Sequence, residues 1–339
     1  MRPRTVPTVL LLCLFTALGA APASAQNIVV KMATLVPQGS EWHTTLLEMA
    51  DAWKRESGGR VTLRLYPGGV AGDDGDIVRK MRLGTLDAGA LTANGLGDID
   101  RSVFALAVPM AYASYEELDY VVERMTPELE AAFEAKGFIV LNWADVGWLY
   151  FFTKSEVRTP DDLRRQKLFT WAGDPQGVEL WKAAGFNPVP LPSTEISTAL
   201  QTGLVTAVTT SPQATILLGW HTQARYMTQV NWAVLVGGTV ISKATWQRIP
   251  AELRPQLLEA ARTAGRKISS QTRAAGTRDV DAMVKRGLTV VTLDPATEQL
   301  WRRAAEDAYP TIRGSFVPAA AFDRALQLRD QYRAAAGAK

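Results

Sequence analysis

The chain has 339 residues, with 37 Lys+Arg against 34 Asp+Glu, and is 47% hydrophobic and 21% charged. That composition excludes disorder, collagen and coiled coil, and a formal charge of +3 is too small to argue for nucleic acid or an anionic membrane as partner. Two histidines and one cysteine weigh against a His-rich metal site, a zinc cluster, a disulfide framework and a Cys/His nucleophile pair, which leaves ten tryptophans as the unusual count.

Arg2 and Arg4 precede an apolar run from Val9 to Leu18, and Ala23-Ser24-Ala25 is a small-x-small cleavage site. This reads as a secretory signal peptide, residues 1–25, removed after Ala25. The alternative, a membrane anchor, needs an apolar run of roughly 20 residues. Leu11 and Leu12 before Cys13 do not suit a lipidation box. Cleavage removes the only cysteine, which suits an oxidising compartment. No later stretch is apolar and long enough to span a bilayer.

Strand and helix patterns then alternate. Ile28 to Ala33 is a short apolar strand, and Ser40 caps a helix whose Trp42, Leu46, Met49, Ala50 and Trp53 share one face. Gly58-Gly59 ends it, Val61 to Tyr66 alternates as a half-buried strand, Asp73 to Leu83 is a helix with acids in its first turn, and Ala88 to Ala93 is a buried strand. Two helices are expected near 114–125 and 127–135, then a strand-rich stretch over 138–154. Thr159-Pro160-Asp161-Asp162 is a strong helix start. Strands over 167–171, 187–191 and 204–209 alternate with helices over 175–184, 193–202 and 212–220. One long helical segment runs from Ala251 to about Lys285, and two shorter helices follow a strand over 288–293. Such alternation means an α/β protein with largely parallel sheets. Two blocks, 26–140 and 150–233, exceed one sheet, so two lobes are expected, with Phe138 to Thr153 as the first crossing between them.

The search for chemistry is barren. Gly68-Gly69-Val70-Ala71-Gly72 lacks the spacing and the lysine of a phosphate loop, and Asp73-Asp74-Gly75-Asp76 lacks the remaining ligands of a calcium loop. His43 and His221 have no metal-ligand partner at the right spacing. There is no nucleophile elbow and no HExxH. A secreted hydrolase using carboxylates alone needs no sequence spacing and stays open as an alternative.

The aromatics remain. Trp143, Trp148, Trp171, Trp181, Trp220 and Trp232 cluster in mid-chain beside Tyr150, Phe151, Phe152 and Phe169. Trp53, Trp181, Trp246 and Trp301, on helices, read as core. Trp148, Phe169 and Trp171 stand at strand ends, where open α/β sheets bind ligands. A cleft walled by rigid aromatics binds by buried area, with a few polar groups setting orientation.

Met32 to Ser40, then Gly59 to Gly69, resemble the opening of the TRAP-transporter solute-binding proteins of the C4-dicarboxylate-binding (DctP) type. Arg79 to Asp87, Pro160 to Leu168, Ala183 to Leu191, Glu195 and Ala199 to Gly203 are similar to further family segments, in order, over roughly residues 28–260. The resemblance implies a two-lobed periplasmic binding protein with hinge strands and a long C-terminal helix spanning both lobes. Lobe I would comprise 26–149 plus about 234–275, and lobe II 150–233 plus about 276–339. It implies a non-enzymatic subunit, without cofactor or metal, that captures a small-molecule ligand in the periplasm and hands it to a TRAP-type membrane permease. It also leaves open a homodimer through the long helix.

Two departures matter. Where the family carries an arginine that forks onto the ligand carboxylate, this chain has Phe169, in Lys167-Leu168-Phe169-Thr170-Trp171. After Gly203 the usual acid is missing from Leu204-Val205-Thr206-Ala207. The ligand is therefore expected to be an organic acid or something larger and more apolar, sandwiched by Phe169, Trp171 and Trp148. Asn94, Ser211 and Gln213 would orient it, and Trp42, Tyr150 and Trp220 complete the expected site. Arg158 or Arg225 reaching the cleft would restore acid binding. A hydrophobic-ligand carrier of the same fold, working without the permease, is the second reading.

Overall fold

The computed structural model describes residues 27–337. The expected signal peptide lies outside the described residues. The first half of the sheet is built from β1 (Ile28–Thr34), β2 (Val61–Tyr66) and β3 (Ala88–Thr92), with β1 parallel to both of the others. Two helices connect them, α1 (Glu41–Glu56) and α2 (Asp74–Arg82). Ser40 caps α1 by accepting the His43 N–H at 3.1 Å, and Trp42, Leu46, Met49 and Trp53 are buried at helical spacing. A short α3 (Ala93–Ile99) and a 3-10 turn, Arg101–Ala107, follow. Neither was expected, because Gly95 and Gly97 lower the helical signal. The glycines admit close neighbours: a Cβ on Gly97 would lie 2.3 Å from Phe104.

The two helices expected over 114–135 are one, α4 (Tyr115–Ala135), running through Pro127. A proline removes one helical N–H and costs about 3 kcal/mol in isolation. Here Val121, Met125, Leu129 and Phe133 stay on one buried face, and packing carries the helix past it.

β4 (Phe138–Thr153) leads into the second half: α5 (Pro160–Arg164), β5 (Lys167–Trp171), α6 (Pro175–Ala183), β6 (Asn187–Leu191), α7 (Ile196–Thr202), β7 (Ala207–Thr210) and α8 (Pro212–Leu217). Thr159 and Asp162 form the expected reciprocal cap on α5. β8 (Tyr226–Ser242) then returns antiparallel to β4. Its 17 residues were not anticipated as one strand. The chain finishes with α9 (Lys243–Arg248), α10 (Arg254–Val284), β9 (Thr289–Val291), α11 (Pro295–Thr311) and α12 (Ala319–Gly337).

The strand order is β2-β1-β3-β8-β4-β7-β5-β6, with β9 also on β8. β3 pairs with the end of β8 (Gly237–Ile241), whereas β7 and β9 pair with the other ends of the β4–β8 ribbon, at Tyr150–Thr153 and Tyr226–Thr228. The ribbon is thus the shared hinge of two lobes. α10, about 46 Å long, begins beside Trp53, whose Nε1–H donates to the Leu257 carbonyl at 2.9 Å. It ends with Met283 packed among Phe152, Leu200 and Leu288 of the other lobe. The long helix therefore spans both lobes. One boundary differs from expectation. α12, assigned with residues 276–339 to lobe II, packs Phe322, Ala325 and Leu328 against Val121 and Met125 of α4. Of the last two helices, only α11 sits on lobe II, through Trp301 in the cluster of Leu163 and Phe186.

Candidate functional site

Two cavities lie between the lobes. The larger, of about 470 Å³, is bounded by Thr34, Pro37, Gln38 and Trp42 from lobe I, Asn142 and Val146 from the hinge, and Thr194, Ser197 and Ala214 from lobe II. The smaller, of about 240 Å³, is bounded by Asn94, Phe104 and Pro109 on one side and Phe169, Thr170, Val178 and Trp181 on the other, with Trp232, Ile312 and Phe316 closing its end. Thr92, Trp171, Ser193, Thr210, Trp220 and Leu235 border both. The two are chambers of one cleft, joined where Trp171 and Trp220 stand.

Strand ends position most of these side chains, as open α/β sheets do. β5 delivers Phe169, Thr170 and Trp171, with the Phe169 and Trp171 rings edge to face at 5.6 Å. The end of β7 delivers Thr209 and Thr210. β5 and β7 are parallel with Leu168 opposite Ala207, so continuing that register brings Thr170 beside Thr209. Both hydroxyls are buried without a hydrogen-bond partner. Trp220 Nε1–H donates to Ser197 Oγ at 3.0 Å, which holds the indole at the junction.

Five of the nine expected residues meet in the cleft: Trp42, Asn94, Phe169, Trp171 and Trp220. Trp42 also donates from Nε1 to Thr272 Oγ1 at 3.0 Å. The other four do not. Trp148 packs beneath α4 and α12, its ring 5.4 Å from Tyr115, so the expected sandwich with Phe169 and Trp171 is not formed. Tyr150 lies between two core clusters, and burial pushes its phenol up. Ser211 is fully buried and caps α8 by accepting the Ala214 N–H at 3.3 Å. Gln213 is buried beside it, with Oε1 unpartnered. Thr210 and Ala214, their neighbours, face the cleft instead.

The arginines expected as substitutes are elsewhere. Arg158 pairs with Glu156 at 2.7 Å on the surface, and Arg225 donates to the Thr222 carbonyl at 3.2 Å. The cation nearest the cleft is one the sequence did not single out. Arg101 donates from Nη1 to Asp174 at 3.0 Å and from Nε to the Phe316 carbonyl at 2.9 Å. Its guanidinium lies 4.3 Å from the Phe316 centroid and 4.9 Å from that of Phe104. The aromatic walls screen it from the smaller chamber. Trp181, read from sequence as core, has two roles: it packs on Phe186 and Trp232 and also lines the chamber. By contrast Trp53 and Trp301 are fully buried core.

Polar contacts bridge the lobes around the cleft. Asp73, the cap of α2, accepts from the Ser193 N–H at 2.8 Å and from its hydroxyl at 2.9 Å. Arg101 and Asp174 form a second bridge. At Gly69, where φ is +74°, a Cβ would come within 3.0 Å of Thr194 across the gap. Behind the lobe I wall, Asp74 is fully buried and accepts from the Thr92 N–H at 3.0 Å and hydroxyl at 2.6 Å; burial pushes its carboxyl up to about 7. Asp98 is also raised, by burial first and then by Asp174. Among the described residues no group of His, Cys, Asp and Glu has the arrangement of a metal site.

Comparison with known proteins gives one consistent answer. Residues 32–314 match the family described as bacterial extracellular solute-binding protein, family 7 (DctP). The chain is 25% identical over 309 residues to the solute-binding protein RD1_1052 of Roseobacter denitrificans, covering 86% of this chain and 89% of that one. It is 24% identical over 327 residues to the 2,3-diketo-L-gulonate-binding periplasmic protein YiaO of Escherichia coli, covering 94% and 95%. Its fold matches, with a TM-score of 0.83 at 22% identity, a TRAP periplasmic solute-binding protein of Ralstonia eutropha solved with bound (S)-2-acetolactate, covering 89% of this chain and 99% of that one.

Proposed function

The chain belongs to bacterial extracellular solute-binding protein family 7, the DctP type of TRAP solute-binding protein, and we propose that it captures its solute in the two-chambered cleft and releases it to a TRAP-type membrane permease. The observation that carries this reading is the cleft itself: an aromatic-walled space between two lobes, hinged on the β4–β8 ribbon and bridged by Asp73–Ser193 and Arg101–Asp174. Closure around a ligand buries it against both lobes, and opening releases it. Such a subunit works by binding and release, without catalysis. Among the described residues no helix is long and apolar enough to cross a membrane, which suits an exported protein whose signal peptide is cleaved after Ala25. Trp42, Asn94, Phe169, Trp171 and Trp220 are the proposed ligand contacts.

Organic acids are the solutes named for two similar proteins, diketogulonate and acetolactate. An organic acid or a more apolar ligand is proposed here. A mostly apolar lining without lysine or arginine among the described residues favours a second reading, a hydrophobic-ligand carrier of this fold working without the permease. Mass spectrometry of whatever co-purifies identifies the solute class. Small-angle scattering should show contraction when an identified ligand is added to the emptied protein. An unchanged radius of gyration at saturation would argue against the binding-protein mechanism. Uptake reconstituted with the cognate permease separates the two readings.

A further inference from the structure

The charge of the cleft walls carries a statement about what fits between them. Among the described residues that border one chamber or the other, the single charged one is Asp174, in the smaller chamber, an acid already bonded to Arg101. Arg101 lies behind the rings of Phe104 and Phe316. Among the described residues no lysine or arginine borders either chamber. The N-terminus of α3 faces the cleft, but its field is already used by Asp74, whose carboxylate accepts the Thr92 donors there. Asp73 and Asp98 add further negative potential to the same wall; Asp98 is raised partly because Asp174 and Asp73 already crowd it. A carboxylate in such a space loses its hydration and meets no cation among the residues that border it, with Arg101 Nη2 buried behind the rings, a cost of several kcal/mol.

Size points the same way. Chambers of about 470 and 240 Å³ share Trp171 and Trp220 as walls and together offer more room than either alone. A four-carbon diacid would leave one chamber unfilled. The polar atoms behind the walls, Thr170 Oγ1, Thr209 Oγ1 and Arg101 Nη2 among them, are buried away from the chamber and leave it an apolar surface.

We propose that the ligand is an uncharged, elongated, mostly apolar molecule that occupies both chambers. This rests on the reading of the cleft as the ligand site. It differs from the acids named for two similar proteins because no cation borders the chambers among the described residues.

The test is a calorimetric series on the purified full-length chain after extensive dialysis, using octan-1-ol, octanoate and octylamine at pH 7.5. The alcohol should bind at least tenfold tighter than either charged analogue. From butan-1-ol to octan-1-ol, affinity should rise about fourfold per methylene. Octanoate or octylamine binding as tightly as the alcohol, or no gain with length, would overturn the proposal. One variant probes the larger chamber. Ala214→Phe, which fills part of the larger chamber, should remove most of the gain in affinity with length; an unaltered length dependence counts against occupation of both chambers. Scattering with succinate and L-gulonate separates this from the function on which it rests. If an acid closes the lobes and the alcohols do not bind, the uncharged-ligand proposal fails and the binding-protein function stands. If neither series binds or closes the protein, both fail.

Discussion

Arg101 and Asp174 meet at 3.0 Å across the mouth of the smaller chamber, one from each lobe. Side-chain exposures of 25% and 11% place the pair between an exposed ion pair, worth little, and a fully buried one. The pair joins the two lobes across the cleft.

Arg101→Ala and Asp174→Asn should each shift the ligand-free protein toward the open form. Scattering should report a larger radius of gyration for both variants. A double-mutant cycle on ligand affinity should give a coupling of about 1 kcal/mol. Additive effects would mean the pair does not hold the lobes together.

Trp171 and Trp148 should behave differently although both were expected at the site. Trp171→Ala removes a wall common to both chambers, and affinity for the co-purifying ligand should fall at least tenfold with a small change in Tm. Trp148→Ala should lower stability by about 3 kcal/mol through lost core packing, and the folded fraction should retain its affinity. An unaltered affinity in Trp171→Ala would remove that residue from the site.

Asp74 supplies a pH dependence of unusual sign for a carboxylate. Its folded value of about 7 lies above the ordinary value of 3.8. Between those two pH values the folded chain holds a proton that the unfolded chain has lost. This contribution therefore favours folding at low pH and is lost as pH rises toward 7, with a slope approaching about 1.4 kcal/mol per pH unit. Chemical denaturation of wild type and Asp74→Asn at pH 5, 6, 7 and 8 isolates it. The difference in stability between the two should change steadily from pH 5 to 7 and level above pH 7. A constant difference would assign the ionisation elsewhere.

Gly265 fixes how closely α10 lies on the hinge. A Cβ there would fall 2.6 Å from the Trp143 carbonyl and 2.8 Å from Asn142 Cβ. Gly265→Ala should destabilise the protein by about 1–3 kcal/mol as helix and ribbon move apart. Thermal unfolding measures this directly. Gly276→Ala on the same helix, with nothing within 4 Å, is the control and should not destabilise.

Much of this architecture is written in local pattern. Apolar spacing and caps locate α1, α2, α5, β5 and β6 within a residue or two. Ordered motifs indicate the family, and Phe169 stands at a position recognised by its neighbours alone. These features depend on residues close in the chain, whose periodicity and hydrogen bonding act locally. Which side chains share the cleft does not. β4 breaks register with β8 between Asp145 and Trp148 and again between Leu149 and Phe151, with Gly147 at φ +93° in the first break. Those irregularities turn Trp148 into the core beneath α4 while Leu149 reaches the smaller chamber, so simple alternation misassigns them. Arg101 and Asp174, 73 residues apart, and Asp73 and Ser193, 120 apart, carry no mark of each other in the sequence. Only the packing of two lobes about one ribbon, which joins distant segments at a common face, brings them together.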